Sequence, residues 1–366
     1  MRKPSEKNVS RRSFVKGAAG VGAVAAAMGL AACGGSGSDD KKDDSAATDD
    51  GDKKASYKVQ MVTDTGGVND QSFNQISWAG LQQLKEEEGW EVGYLESKQE
   101  SDYKTNLDKA IDDGSDLIWG VGFAMADAVG TAAKTNPDVK FAIIDNANPT
   151  GAENLTGVQF RAQEPSFMVG YIAACTSTTG KVGFVGGVAS DVIRLFEYGY
   201  MGGVAYANSV KGTNVEVQSQ YAESFSDSAK GKAIANTMFQ GGCDVVFHAA
   251  GGVGTGVIEA AKDAGKFAIG VDMDQAHLAP ENVLTSALKR CDVAVVDISK
   301  KILAGEKLED VSLGASEGCV GIPEDHKLMA EDVYNEAIEI EEQIKDGTIT
   351  PPSTEDEYNS YKASLA

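Results

Sequence analysis

The sequence predicts an α/β protein of two similar lobes, each a doubly wound parallel sheet, joined by a hinge. Two observations support this prediction. From Tyr57 onward, apolar runs of strand length alternate with helical runs, which is typical of parallel sheets covered by helices on both faces. The pattern then occurs a second time within the chain, and 366 residues are too many for one ordinary hydrophobic core.

Strands and helices follow one another in a regular order. The first half holds the apolar runs KVQMVTD, WEVGYLES, SDLIWGVG, VKFAIIDNA and LTGVQFR, with helical stretches at Phe73–Glu88, Tyr103–Asp112 and Ala124–Thr135. The second half continues with KVGFVGGV, VEVQSQYAES, CDVVFHAAG and FAIGVDMD, again separated by helical runs. Last come VLTSALKR, a helix at Cys291–Leu303, a strand near Val311–Ala315 and a long acidic helix at Lys327–Lys345. The nearly unbroken apolar strands predict sheets that are buried on both faces.

An internal repeat predicts that the two lobes are copies of one unit. The segment SDLIWGVGFAMADAVGTAAKTNPDVKFAIIDNA aligns with CDVVFHAAGGVGTGVIEAAKDAGKFAIGVDMD after one residue of slippage. At nearly the same offset, YLESKQESDYKTNLDKAI aligns with YAESFSDSAKGKAIANTM, and KVQMVTD pairs with KVGFVGGV. A steady offset over three segments indicates a tandem duplication of a βαβαβαβ unit.

The first 55 residues are predicted to be an export signal followed by a flexible tether. The run SRRSFVK at Ser10–Lys16 resembles a twin-arginine export signal, and LAACG ends the following Ala/Gly-rich stretch like a lipobox. We therefore expect residues 1–32 to be a lipoprotein signal peptide and Cys33 to carry lipid (palmitate). Residues 33–55 are polar and charged and are expected to form a flexible tether. This predicts a protein anchored to the cell membrane on its extracytoplasmic side.

Charge and cysteine content exclude some functions. The formal net charge is -22, and the first 32 residues hold six basic residues and one acidic residue, so the remainder is still more acidic. Such a body repels nucleic acids and anionic polymers. The remaining cysteines (Cys175, Cys243, Cys291 and Cys319) show neither a C-x-x-C pair nor metal-ligand spacing. We expect them to be buried small hydrophobes, although pairing outside the cell stays open.

Ligands of open parallel sheets bind beyond the carboxyl ends of the strands. The residues there are acids, glycines, amides and three phenylalanines, without a lysine or arginine cluster, which disfavours a multiply phosphorylated ligand. Only three histidines occur, and His248 is expected to be a core residue because it lies inside an apolar strand. The run GGVGTG has its glycines as G-x-G-x-G rather than G-x-G-x-x-G. A catalyst or a dinucleotide site is hard to assemble from these residues, and we expect no cofactor and no metal.

Phe73 lies among polar residues at the start of a helix and has two interpretations. It can be one more core residue of the helix that carries Ile76 and Leu84. Alternatively, Phe73 and Phe225, one from each lobe, clamp a flat ring, with carboxylates nearby to accept hydrogen bonds from hydroxyl and N–H groups. A flat ring with hydroxyls and no phosphate describes a nucleoside.

Four motifs resemble the basic membrane protein family of purine nucleoside receptor A lipoproteins. They are DTGGVNDQSFN at Asp64–Asn74, Ser224-Phe225 with Asp227, the loop at Gly251–Gly256, and GVDMDQ at Gly270–Gln275. The resemblance extends from Lys58 to about Lys345. It implies a type I periplasmic-binding-protein fold and a role as the solute-binding subunit of an ABC importer for nucleosides.

The same resemblance implies a set of ligand-binding residues. Asp64 and Asp272 would hold ribose hydroxyls, Phe73 and Phe225 would sandwich the base, and Asn74 with the Gly252–Gly254 loop would complete the pocket. Lys289 matches a basic position of the family. The full predicted set is Asp64, Asp70, Phe73, Asn74, Phe123, Phe225, Gly252, Gly254, Asp272 and Lys289.

The resemblance also implies three crossings between the lobes, near Arg161–Pro165, after Gln275 and near Gly318. Lobe 1 is therefore predicted to span 56–163 plus about 276–317, lobe 2 to span 164–275 plus about 318–350, and 351–366 to form a C-terminal tail. We expect a monomeric, membrane-anchored receptor that traps a purine nucleoside and passes it to ABC permease subunits. Two alternatives stay open: a sugar or small-signal binder of the same fold, and an extracellular nucleoside hydrolase or transferase using Asp64 and Asp70.

Overall fold

A computed structural model describes residues 56–365 of the chain, which contain two six-stranded sheets with helices on both faces. The strands are β1 (Lys58–Thr63), β2 (Glu91–Leu95), β3 (Leu117–Val121), β4 (Lys140–Ile144), β5 (Leu155–Phe160), β6 (Lys181–Gly186), β7 (Glu216–Tyr221), β8 (Val245–Ala249), β9 (Phe267–Asp272), β10 (Val283–Lys289), β11 (Val311–Leu313) and β12 (Val320–Gly321). The helices are α1 (Phe73–Glu88), α2 (Asp102–Asp112), α3 (Ala126–Thr135), α4 (Gln163–Thr176), α5 (Asp191–Lys211), α6 (Ser228–Gln240), α7 (Val253–Ala264), α8 (Cys291–Leu303), α9 (Glu331–Lys345) and α10 (Glu355–Ser364).

The two sheets share one topology. Their strand orders are β11-β5-β4-β3-β1-β2 in lobe 1 and β12-β10-β9-β8-β6-β7 in lobe 2. All neighbouring strands run parallel except β10 and β12, which are antiparallel. Strands β1–β5 and β6–β10 occupy equivalent places, as a duplication requires. The predicted α/β class with two doubly wound lobes is therefore confirmed.

Burial explains why the central strands are apolar throughout. Every residue of β3 and β8 is buried, whereas the edge strands β2 and β7 have exposed positions. In lobe 1, one face of the sheet packs against α1 and α8 around Trp119 and Val295, and the other packs against α2 and α3 around Phe141. Helices α1 and α8 approach so closely that a side chain at Gly80 would reach 2.7 Å from the Asp292 carbonyl oxygen.

The chain crosses between the lobes three times, and one crossing differs from the prediction. The first crossing lies at Arg161, between β5 of lobe 1 and α4 of lobe 2. The third crossing lies between β11 of lobe 1 and β12 of lobe 2. The second crossing lies at Arg290, where β10 of lobe 2 is followed by α8 of lobe 1. The prediction that residues after Gln275 belong to lobe 1 is wrong, because β10 pairs in parallel with β9 from Val283 onward.

The crossing segments are joined by a network around Arg161. Its guanidinium bonds Glu164 and Glu317, both at 2.5 Å, and donates to the Ser312 carbonyl at 2.8 Å. Glu164 in turn accepts from the Ala315 amide at 2.7 Å. The first and third crossings are thus tied to each other.

Residues 351–365, predicted as a tail, contain α10, which packs on lobe 2. The Tyr361 ring lies 5.8 Å from Phe167, and Tyr358 stacks on Tyr198 at 6.3 Å between centroids. Within residues 56–365, no cysteine is paired and no helix combines the length and apolarity needed to cross a membrane. The predicted signal peptide, Cys33 and the predicted tether lie outside the described residues.

Candidate functional site

A cavity lies between the lobes, where the carboxyl ends of both sets of strands face each other. It encloses about 510 Å³ of space between protein atoms, its open mouth included. Lobe 1 lines it with Asp64, Gly66, Asp70, Phe73, Asn74, Gly122, Phe123 and Asp145. Lobe 2 lines it with Val192, Ile193, Phe196, Phe225, Ala249, Ala250, Gly251, Val271, Asp272 and Lys289. Eight of the ten predicted site residues are in this wall, and Gly252 and Gly254 are not.

Asp70 organises the loop that leads into α1. Its carboxylate accepts from the backbone amides of Ser72 (2.9 Å), Asn74 (2.9 Å) and Gln75 (3.1 Å), and from Asn74 Nδ2 at 3.0 Å. It therefore satisfies two amides of the first turn of α1, those of Asn74 and Gln75, which have no partners within the helix. Burial raises the pKa of Asp70, and these hydrogen bonds oppose the rise. Each carboxylate oxygen already accepts two hydrogen bonds from the protein.

Asp64, at the end of β1, keeps one oxygen for a ligand. Oδ1 accepts from the Gly66 amide and from Asn74 Nδ2, both at 2.8 Å. Oδ2 accepts no hydrogen bond from the described residues, and a Cβ at Gly122 would lie 3.1 Å from it. Gly122 has φ +120°, so this position needs a glycine for its backbone as well as for space. Burial raises the pKa of Asp64 to about 6.

A buried group of charged and polar side chains joins the two lobes in the wall of the cavity. Lys289 of β10 donates from Nζ to Asp145 Oδ2 of lobe 1 at 2.5 Å, and its side chain is only 2% exposed. Ser72 of lobe 1 donates from Oγ to Asp272 of lobe 2. Burial raises the pKa of Asp272 to about 7, although Lys289 opposes the rise. Burial is the largest single influence on Lys289 and would lower its pKa, but the negative groups around it, Asp145 first and Asp272 among them, together outweigh burial and the pKa is raised.

Asp145 and Asp272 occupy equivalent places in the two lobes. Asp145 directly follows β4 and Asp272 is the last residue of β9, the fourth strands of the two repeats, and each has a left-handed backbone, with φ 68° and 65°. Non-glycine residues rarely adopt this conformation, and such residues cluster at functional sites. The duplication therefore supplies one strained aspartate from each lobe to the same cavity.

Aromatic rings from both lobes enter the cavity. Phe73 is partly buried against the core of lobe 1, and the Lys289 ammonium lies 4.4 Å from its ring centroid. Phe123 of lobe 1 and Phe225 of lobe 2 meet edge to face, with centroids 6.3 Å apart and planes at 72°. Phe196, in α5, adds a fourth ring. Both predicted clamp residues thus line one cavity.

The glycine-rich loop after β8 has a packing role. A Cβ at Gly254 would lie 1.9 Å from His248 Cε1, so only glycine fits against this ring. Gly252 precedes α7, and a Cβ there would lie 3.2 Å from the Phe225 carbonyl oxygen. Gly251, with φ +54°, is the glycine of this loop that lines the cavity.

His248 is fully buried, which confirms its prediction as a core residue. Its Nε2 lies 3.0 Å from Gln275 Oε1, and burial lowers the pKa of the ring to about 4. Gln275 Nε2 donates across the lobes to the Gln71 carbonyl at 2.8 Å. The histidine therefore supports an interlobe contact and does not line the cavity.

Asp145, Phe196, Val192 and Ile193 line the cavity but were not among the predicted site residues. Asp145 had a signal in the sequence, because FAIIDNA aligns with FAIGVDMD and so pairs it with Asp272. The other three lie on α5 and follow no strand directly. A search limited to residues that directly follow strands therefore misses these three.

The cavity offers far more acceptors than donors. Four aspartates (Asp64, Asp70, Asp145 and Asp272) carry carboxylates, and Lys289 supplies the ammonium. Among residues 56–365, no group of His, Cys, Asp and Glu is arranged to hold a metal ion. Such a wall suits an uncharged ligand with a flat ring and several hydroxyl or N–H groups.

Comparisons with known proteins identify the family of the chain. A family model described as Bmp, ABC transporter substrate-binding protein PnrA-like, matches residues 57–355. The chain is 40% identical over 330 residues to a CD4+ T-cell-stimulating antigen of Listeria innocua, covering 82% of this chain and 90% of the relative. It is 39% identical over 326 residues to the ABC transporter nucleoside-binding protein BmpA of Lactococcus lactis subsp. cremoris, covering 83% and 91%. A crystal structure of ABC transporter system solute-binding proteins from Aeropyrum pernix K1 superposes with a TM-score of 0.76 at 30% identity, covering 84% and 97%.

Proposed function

The chain belongs to the Bmp family of PnrA-like substrate-binding proteins of ABC transporters, and on this premise we propose that it binds a nucleoside, specifically a purine nucleoside, between its lobes. The interlobe cavity is the observation that carries the proposal. Aromatic rings and four carboxylates share its wall with a single lysine. A relative with 39% identity is named a nucleoside-binding protein.

The residue roles in this proposal follow the chemistry of the wall. Phe73 and Phe225 stack on the base, with Phe123 against the edge of Phe225. Asp272 and Lys289 bind ribose hydroxyls, since a carboxylate accepts and an ammonium donates. Asp64 and Asn74 hold further donors of the ligand, and Asp70 supports their loop. A nucleotide is disfavoured because its phosphate would enter a cavity with four carboxylates and one ammonium in its wall.

Binding is proposed to close the lobes without covalent chemistry. The ligand contacts both lobes, so it has higher affinity for the closed arrangement and shifts the population toward it. The closed, loaded protein is the form that would deliver its ligand to permease subunits in the membrane. We propose that it acts as a monomer.

Ligand recovery tests this function. Purified residues 56–366 are incubated with inosine, guanosine and adenosine, and binding is measured by calorimetry. The bound molecule is then released by denaturation and identified by mass spectrometry. Recovery of intact nucleoside is expected. Free base in its place would indicate a hydrolase, and heat release with pentoses or hexoses but not with nucleosides would indicate a sugar binder.

We further propose that Cys33 carries a lipid that anchors the protein to the outer face of the cell membrane. The proposal rests on the sequence of residues 10–55, with its twin-arginine-type signal, its lipobox and its polar tether. Replacing Cys33→Ser removes the thiol that the lipid needs. The variant is expected in the soluble fraction after cell disruption, whereas the unaltered protein stays with membranes. Equal membrane association of both proteins would contradict the anchor.

A further inference from the structure

We propose that Gln275 slows the release of the nucleoside without touching it, by latching the closed lobes from outside the cavity. The latch is the hydrogen bond from Gln275 Nε2 of lobe 2 to the Gln71 carbonyl oxygen of lobe 1, at 2.8 Å. This inference rests on the proposed function and deepens it, because it adds a positioning residue that the ligand does not contact.

Lobe 2 fixes the direction in which the Gln275 amide points. The residue is fully buried, its Oε1 accepts from the Val271 amide at 2.9 Å, and His248 Nε2 lies 3.0 Å from the same oxygen. Its backbone amide donates to Ser286 Oγ at 3.2 Å. A backbone N–H can only donate, so the side-chain atom that meets it is the amide oxygen. Nε2 therefore points the other way, toward Gln71, whose carbonyl can only accept.

Lobe 1 presents the Gln71 carbonyl from an unusual backbone conformation. Gln71 has φ 58°, in the left-handed region that non-glycine residues rarely adopt. Such a conformation persists where the surrounding contacts hold it. The Gln71 side chain donates to Gln75 Oε1 at 2.9 Å, and its Oε1 lies 3.3 Å from His277 Nε2 of lobe 2. The closed lobes therefore support Gln71 through both its backbone and its side chain.

The latch is separate from the contacts that build the cavity. The contacts that Lys289 and Ser72 make across the lobes each include an aspartate of the cavity wall, so a ligand changes their surroundings. Neither Gln71 nor Gln275 lines the cavity. The latch therefore depends on closure of the lobes and not on contact with the ligand.

The fold itself does not require this contact. Asn148 takes the place of Gln275 in lobe 1, because each is the third residue after the equivalent aspartate of its lobe. Asn148 Nδ2 donates to the carbonyl oxygens of Ala152 and Leu155, both at 2.8 Å and both within lobe 1. The two copies of the unit thus use this amide differently, and the copy in lobe 2 uses it to reach the other lobe.

A bond that exists only in the closed state shifts the population toward that state. The ligand leaves after the lobes open, so opening must first break the latch. The ligand enters the open form, in which the latch is absent. Removing the latch should therefore raise the rate constant of dissociation and leave that of association unchanged.

Gln275→Glu separates the latch from the anchoring of the side chain in lobe 2. A carboxylate still accepts from the Val271 amide and from His248, but it cannot donate to the Gln71 carbonyl. Stopped-flow measurements with inosine and guanosine at pH 8 are expected to show dissociation about tenfold or more faster than from the unaltered protein, with association within about threefold.

Acid should restore the latch in this variant. Burial raises the pKa of the introduced carboxyl, so at pH 5 it carries a proton and can donate to the Gln71 carbonyl. The ratio of the dissociation rate constants, variant to unaltered protein, should then fall to within about threefold of one. The titratable groups around the latch are present in both proteins and cancel from this ratio: His248, His277, Asp272 and Asp274. A general loss of structure would give no such recovery.

Asn148→Asp is the matched control. It makes the same change from amide to carboxylate at the equivalent place in lobe 1, where it removes two hydrogen bonds within that lobe. The control should have a lower free energy of unfolding and the same rate constant of nucleoside dissociation as the unaltered protein.

Equal dissociation rate constants for Gln275→Glu and the unaltered protein at pH 8 would overturn the latch and leave the proposed function standing. Failure of the unaltered protein to bind either nucleoside would overturn both. Hydrogen exchange of the Gln275 side-chain amide, followed by NMR in the unaltered protein, decides the question if the variant does not fold. Saturating inosine should slow this exchange about tenfold or more, and equal exchange with and without inosine would show that closure does not form the latch.

Discussion

Phe73 has two environments at once. One part of the ring packs against the core of lobe 1, and the residue also lines the interlobe cavity. The Lys289 ammonium, 4.4 Å from the ring centroid, adds a cation–π contact that reaches across from lobe 2. The core and clamp interpretations of the sequence therefore do not exclude each other. The two interpretations differ in what the loss of the ring would lower most. A clamp residue contributes mainly to the free energy of ligand binding, and a core residue contributes mainly to the free energy of unfolding.

Replacing Phe73→Ala should weaken nucleoside binding more than it weakens the fold. Loss of one stacking partner corresponds to about 1–3 kcal/mol, which is roughly a ten- to hundredfold increase in Kd by calorimetry. Replacing a fully buried phenylalanine with alanine typically lowers the free energy of unfolding by about 3–5 kcal/mol. The loss should be smaller for Phe73, since its ring is only partly buried.

Phe239→Ala serves as the control for this change. Phe239 is also partly buried, but it packs against core residues of lobe 2 and does not line the cavity. The Phe239→Ala variant should have a lower free energy of unfolding and the same nucleoside affinity as the unaltered protein. The same pattern in Phe73→Ala would show that Phe73 is a core residue alone.

At the residue scale, the strand-end rule identifies side chains that directly follow a strand and misses those brought in by a helix. Asp64, Phe123 and Asp272 follow apolar runs and could be predicted to meet. Phe196 could not, because its place depends on how α5 packs over the second sheet. The role of Asp70 was also hidden, since a carboxylate that caps a helix and one that faces a ligand look alike in a sequence.

At the scale of elements, the misplaced second crossing has a physical cause. Which sheet a strand joins is decided by pairing with residues far away in the chain, and an apolar run carries little information about its partner. The duplication did contain that information: LTGVQFR ends the first copy, and VLTSALKR ends the second. Each unit has five strands, and in both the chain leaves its lobe at an arginine, Arg161 or Arg290.

The contact between Gly254 of α7 and His248 of β8 can be tested by filling the space between them. Gly254→Ala would put Cβ 1.9 Å from the ring, and forced overpacking of this kind costs about 1–3 kcal/mol. We expect denaturant unfolding to show that loss of stability, with nucleoside affinity within about threefold of the unaltered protein.

The double variant His248→Ala with Gly254→Ala checks the cause. With the ring gone, the added methyl group meets no obstacle. The double variant should therefore lose less free energy of unfolding than the two single variants lose when their losses are added. A ligand-binding role of Gly254 would appear differently, as a loss of affinity with unchanged unfolding.

At the scale of the whole molecule, the two lobes are held together by contacts that also build the site. Lys289 reaches Asp145, Ser72 reaches Asp272, and Gln275 reaches Gln71. Bringing the lobes together also gathers four carboxylates and one ammonium in the wall of a single cavity. Without a ligand to donate hydrogen bonds, this arrangement carries an unbalanced negative charge. Protons can supply part of the balance.

The closed arrangement of the ligand-free protein should therefore be favoured by acid. Burial raises the pKa of Asp64 to about 6 and that of Asp272 to about 7, whereas open lobes would return both to near the ordinary value of about 4. A raised pKa means that the closed state binds more protons between these limits. The stability that the closed state gains over the open state from these protons is full below the ordinary pKa and is lost as the pH rises through 6 and 7.

Small-angle X-ray scattering of the ligand-free protein can measure this, with a smaller radius of gyration expected at pH 5 than at pH 8. In Asp272→Asn, which can still accept from Ser72 but takes up no proton, the difference between the two pH values should shrink. Saturating nucleoside should make the unaltered protein compact at both pH values, because its donors replace the protons. A radius that is constant, or smaller at pH 8, would mean that the carboxylates do not govern closure.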